Sequence, residues 1–107
     1  MLLSHKYPQF SHLLAGYFNP DFTEEYGHYD KALEGFCQDA CDYEEIQQTI
    51  HEIRSYLHSN PSSEEEIENF MDRLGNHYLY QYDKFTPLTW IHYIENYLQN
   101  YLNQHQK

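Results

Sequence analysis

Apolar residues fall at steps of three and four along most of this chain, the repeat of a helix that buries one stripe. Phe10, Leu13, Leu14, Tyr17 and Phe18 form the first stripe, which Pro8 can open from a first-turn position and Asn19-Pro20 should close. Phe22 and Tyr26, four apart, predict one loose turn ending at Gly27. A second helix, from about Asp30 to Cys41, puts Leu33, Phe36, Cys37 and Ala40 on one side, with Asp30, Glu34 and Asp39 flanking that stripe rather than opposing it. These acids would line the rim of any groove beside the helix. A third helix, from about Tyr43 to His58, repeats Ile46, Ile50, Ile53 and Leu57. Its first turn holds Glu44 and Glu45, where the helix dipole favours negative charge. After the Asn60-Pro61-Ser62-Ser63 turn, Ser63-x-x-Glu66 reads as a capping box. The fourth helix it opens has Ile67, Phe70, Met71 and Leu74 inside and stops at Gly75-Asn76.

The pattern then changes. Tyr78, Tyr80 and Tyr82 alternate at strand period, yet no second segment offers a pairing partner, and a lone strand leaves its backbone groups unpaired. An extended, tyrosine-rich connection lying against the helices is the expectation. Thr86-Pro87 starts the last helix with a cap and a first-turn proline. Trp90, Ile91, Ile94, Tyr97, Leu98 and Tyr101 make its apolar face; His92, Glu95, Gln99 and Asn103 face water, and the tail from Asn103 to Lys107 should fray. The whole reads as all-α: one compact antiparallel bundle of about five helices. Twelve tyrosines cannot all be buried without partners for their hydroxyls, so several must reach the surface.

Composition narrows the function. With 107 residues, the chain has room for one domain that buries roughly 65% of its unfolded surface. Six Lys or Arg stand against seventeen Asp or Glu, a formal charge of −11, which repels phosphate backbones and anionic lipid. Direct binding to nucleic acid or to a membrane is therefore not expected. Eight histidines could offset most of that charge in mild acid, weakening any charge-driven contact. The opening Met-Leu-Leu-Ser-His-Lys has no apolar run long enough for a signal peptide, and no later stretch approaches a membrane span, so a cytoplasmic location is expected.

Nine of the seventeen acids lie between Asp21 and Glu45, with Lys31 the only basic residue among them and Phe22, Tyr26, Tyr29, Phe36 and Tyr43 interspersed. Acids set among aromatics suit a face that captures a basic protein. The plainer reading is a loop that packs Phe22 and Tyr26 on the core while its acids face water. Glu64, Glu65, Glu66 and Glu68 make a second cluster, which reads as dipole-favoured acids at a helix start.

Catalytic chemistry finds little support. Cys37 and Cys41 are too few for a disulfide framework, and read as one buried thiol and one on the shoulder of the apolar face. A metal held by them would need two further ligands, and no Cys-x-x-Cys or His-x-x-x-His supplies these. His51 and His58 lie seven apart with Glu52 on another face, which is not the His-Glu-x-x-His of a metalloprotease helix. Ser62 and Ser63 are explained as caps, and the isolated glycines at 16, 27, 35 and 75 make no phosphate loop. No enzyme activity, metal or cofactor is expected.

From Tyr7 to Leu102 runs a spread of small signals: Phe10 with Tyr17-Phe18, Asp21-Phe22 and the Tyr26-Gly27 turn; Leu33 and Phe36; Glu52-Ile53 with Leu57; Leu74-Gly75; and Tyr78 ahead of Trp90. In this order they resemble the immunity proteins of contact-dependent growth inhibition. The resemblance implies a cytoplasmic antidote, without catalysis, that binds the C-terminal domain of a delivered toxin, commonly a nuclease. The residues that carry it are mostly packing residues, so it implies a scaffold and not a contact surface.

Charge and periodicity alone select the expected toxin-binding residues: Asp21, Glu24, Glu25, Tyr29, Asp30, Glu34, Asp39, Asp42, Tyr43, Glu44 and Glu45. Tyr29 and Tyr43 would be aromatic anchors, with the acids around them meeting a basic nuclease site in a complex of one protein with one toxin domain. An alternative is a structural or assembly subunit that docks through a tyrosine-rich surface, which predicts a large exposed apolar patch. A third class, a small metal-dependent enzyme, would draw on His51, His58 or His77.

Overall fold

Why the first long helix starts where it does is answered forty residues away. The computed structural model of the protein describes residues 3–40 and 42–105, and the side chains of all of these except residues 3, 4, 22 and 23. One turn, α1 (Leu3–Lys6), precedes α2 (Pro8–Tyr17). Pro8 sits in the first turn of α2 as expected, but Tyr7 at the cap position makes no side-chain hydrogen bond. Glu52 supplies that cap from α5 (Tyr43–His58). Its carboxylate accepts from Phe10 N–H at 3.0 Å and Gln9 N–H at 3.3 Å, and Gln48 Nε2 donates to it at 3.3 Å. Glu52 is only 3% exposed, so a buried charge is held by the backbone donors that a helix N-terminus leaves free.

Between these, α3 (Phe22–Glu25) is the predicted loose turn and α4 (Tyr29–Asp39) the second long helix. The helix starts one residue early because His28 caps it, its Nδ1 accepting from Asp30 N–H at 3.1 Å. It ends before the expected Cys41, because Ala40 turns to extended backbone. Cys41 itself, and with it the expected thiol pair, lies outside the described residues, as does the expected packing of Phe22. The bounds of α5 match expectation, set by Asp42 at the cap.

The capping box of α6 (Glu64–Arg73) is present in modified form. Ser63 Oγ accepts from Glu66 N–H at 3.2 Å, but the Glu66 carboxylate reaches Ser62, accepting from its N–H and, at 2.9 Å, its hydroxyl. These bonds hold the Glu66 carboxyl below the usual range. Gly75 ends α6 with φ +111°, and a Cβ there would lie 2.7 Å from Ala15 Cβ. Only glycine fits both the backbone and the approach to α2.

Segment 76–79 has no regular secondary structure and is tied to the end of α2 by His77 N–H donating to Phe18 O at 2.8 Å. Tyr78 and Tyr80 are buried, as the alternation requires. Tyr82 is not: a 3₁₀ turn, Tyr80–Asp83, breaks the period and leaves it 83% exposed. The last helix, α7 (Pro87–His105), opens on a reciprocal pair, Thr89 N–H to Thr86 Oγ1 at 3.2 Å and Thr86 N–H to Thr89 Oγ1 at 2.8 Å. It continues through Asn103, Gln104 and His105, three residues of the tail expected to fray.

The result is an all-α bundle in which α5 packs on α2 and α7, with α4 and α6 also against α7. Trp90 is its fully buried centre, ringed by Phe18, Tyr29, Tyr78, Tyr80 and Phe85 at centroid distances of 5.0 to 6.2 Å. A second cluster stacks Tyr56 on Phe70 at 3.6 Å, with Tyr7 edge-on to both, where α2, α5 and α6 meet. The radius of gyration, 13.0 Å, equals that of a compact chain of this length, about 13 Å.

Candidate functional site

The eleven expected contact residues follow α4 from one end to the other. They divide between its flanks: Asp30 turns to Tyr93 of α7 and Asp39 to Tyr17 of α2, with Asp21, Glu24 and Glu25 at the head of α4 and Asp42, Tyr43, Glu44 and Glu45 beyond its tail. Asp21, Glu24, Glu25, Asp39, Asp42 and Glu44 are exposed; Asp30, Glu34 and Glu45 are half-buried.

Part of that charge serves the fold. Asp42 Oδ1 accepts from Glu44 N–H at 3.0 Å and Glu45 N–H at 3.3 Å, capping α5. Asp39 Oδ2 accepts from the Tyr17 hydroxyl at 2.7 Å, and Asp30 accepts from Tyr93. Burial first, then these bonds, raise the hydroxyls of Tyr17 and Tyr93 well above the ordinary tyrosine value, so both stay donors at neutral pH. Along the seam of α4 and α7, burial pushes Tyr97 up to about 12, with Cys37, Glu34 and Asp30 adding to it. Tyr101 is raised for similar reasons.

The two expected anchors part company. Tyr29 turns its ring into the protein, edge-on to Phe85, Trp90 and Tyr93 at 5.3 to 5.9 Å, with only part of it reaching the surface. Tyr43 stays 37% exposed at the start of α5, its hydroxyl donating to His105 O at 3.2 Å. It remains presentable to a partner, between Asp42 and Glu44.

Sequence reasoning missed an exposed apolar pair on the connection before α7. Leu79 is 59% and Tyr82 83% exposed. Leu79 was readable: if Tyr78 and Tyr80 point inward, the residue between them must point out. Beside the pair, a cleft of about 370 Å³ is lined by Pro20, Gly27, His28, His77 and Asp83 among others. Asp83 is the acid that lines it. A larger cleft of about 460 Å³ lies at the α5–α6 turn, where Ser62, Ser63 and Glu66 serve one another as caps.

His51, His58 and His77 are all exposed. Among the described residues no three His, Cys, Asp or Glu side chains gather to hold a metal ion, and no helix is long and apolar enough to cross a membrane.

Comparison with known proteins adds two findings. A family model described as CdiI immunity protein matches residues 6–98. The fold is similar to a chain in the crystal structure of a CdiA-CT/CdiI complex from Y. kristensenii 33638, with a TM-score of 0.82 and 28% sequence identity, covering 92% of this chain and 99% of that one. No curated protein matches.

Proposed function

Because the chain belongs to the CdiI immunity protein family, we propose that it binds the C-terminal domain of its cognate toxin and neutralises it, that this toxin is a nuclease acting on RNA, and that the acids between Asp21 and Glu45 cover its basic active site. The family match over residues 6–98 carries the immunity role. Its structural neighbour is from a toxin–immunity complex, which supports a toxin domain as the partner. The mechanism rests on the exposed carboxylates.

A nuclease site is basic because it holds phosphates. Carboxylates at the surface of a small, strongly negative protein steer encounter with such a site, raising association rates towards roughly 10⁸ to 10⁹ per molar per second from about 10⁵ to 10⁶ for neutral partners. Speed matters to an antidote, since each moment of delay is a cut substrate. Binding is one protein to one toxin domain, in the cytoplasm, with no turnover by the antidote.

The test is titration of toxin-domain RNA cleavage with this protein, together with association rates at several ionic strengths. Cleavage should cease near one equivalent, and association should slow about tenfold or more as salt rises from low to physiological. Cleavage that persists at several equivalents would remove the immunity reading. Tight binding with salt-independent association would keep the partner but reject charge steering.

A further inference from the structure

The connection between α6 and α7 is built to project two side chains rather than merely to join two helices. Its backbone is fixed along its length. Asn76 Nδ2 donates to Tyr78 O at 3.0 Å, His77 N–H to Phe18 O at 2.8 Å, and Phe85 N–H to Tyr80 O at 3.2 Å. The Tyr78 hydroxyl donates to Asp83 across the 3₁₀ turn, and Lys84 closes that turn in left-handed backbone, φ 67°. A segment so held presents its outward side chains with little conformational freedom left to lose on binding.

Those side chains are Leu79 and Tyr82, the two most exposed large apolar groups among the described residues. Acids flank them on both sides. One cleft beside them is lined by Asp83, with His28 and His77, and another, of about 350 Å³, by Glu68 and Asp72 of α6 together with Leu79. His77 and Lys84 are the only basic residues of segment 76–85. An apolar ridge between two negative borders matches a partner whose surface is a cleft with a positive rim. A planar ring between carboxylates also repeats the order of aromatic face and charge that a nucleic acid strand offers.

We infer that Tyr82 and Leu79 are the anchors of the toxin interface, the Tyr82 ring entering the basic cleft of the toxin domain while Asp83 and the acids of α6 meet its rim. This rests on the immunity reading, but it adds a surface outside segment 21–45 and assigns residence time to it, leaving the speed of capture to the acids of that segment.

The experiment measures association and dissociation of the wild type, Tyr82→Ala, Tyr82→Phe and Leu79→Ala on immobilised cognate toxin domain, inactivated in its active site. Tyr82→Ala should dissociate about 30-fold faster and Leu79→Ala about tenfold faster, with association rates within about twofold of wild type. Tyr82→Phe, which keeps the ring, should stay near wild type. Both side chains stand mostly in solvent, so melting temperatures should not move. Alanine variants that dissociate like a tightly bound wild type would overturn the inference while leaving the immunity function standing. A wild type that neither binds nor inhibits the toxin would remove both.

Discussion

The contact of α2 with α5 and the exposed head of α5 use the same chemical group in opposite surroundings. Glu52 sits in the first, buried, with two backbone N–H groups and Gln48 donating to it. Glu44 sits in the second, two turns earlier on the same helix, exposed to water. One carboxylate is consumed by the fold and the other is available to a partner. Identity of side chain therefore does not tell a structural acid from a binding acid; the donors that surround it do.

The strongest way to break the buried region is alkali. Burial, helped by Glu66 and Tyr7, pushes Tyr56 from 10.0 to about 12, and Tyr97 on α7 reaches about 12 as well. The folded state holds these protons more tightly than the unfolded chain does. Their contribution is therefore complete below pH 10 and is lost as pH rises from 10 towards 12. Thermal melts across that window should show the transition collapse, with tyrosinate absorbance appearing together with unfolding and not before it. Full ionisation of all tyrosines in a still-folded protein would contradict the packing described.

Next in size is Glu52→Ala, which leaves the N–H groups of Gln9 and Phe10 without their acceptor. We expect a loss of about 3 kcal/mol and a fall in melting temperature of roughly 10 °C or more. Glu52→Gln, which keeps one acceptor oxygen, should lose about half as much. The smallest effect on stability belongs to Glu44→Lys, where the first-turn dipole term, about 0.3 to 1 kcal/mol, is at stake. Association with the toxin domain should nonetheless slow about tenfold at low salt. If this variant destabilised the protein as much as Glu52→Ala, the division into consumed and available acids would be wrong.

Periodicity made the helices legible, because burying one stripe is a local property of spacing. The bounds of α5 were readable from Asp42, Glu44 and Glu45, and the start of α7 from Thr86-Pro87, since those caps are near neighbours in the chain. What spacing could not show is who caps whom at a distance. Glu52 reads as one more polar residue until α2 arrives against it, and Tyr29 reads as a surface ring until the Trp90 cluster forms around it. The turn at Tyr80–Asp83 was hidden for the same reason: Tyr82 keeps the alternation in sequence, and only the Tyr78–Asp83 bond shows that the chain has coiled by then. For the acids between Asp21 and Glu45, composition located the charge, while which of them are exposed had to wait for the fold.

Trp90, the only tryptophan, gives the protein an optical gauge of its own. Its indole is fully buried, so its emission should lie towards the blue and move to the red as the bundle opens. Tyr80 and Tyr93 lie nearly parallel to it at 6.2 and 6.1 Å, close enough to pass it their excitation. Because the same ring lies under the connection that bears Tyr82, seating of a partner on that ridge should change its fluorescence without any attached dye.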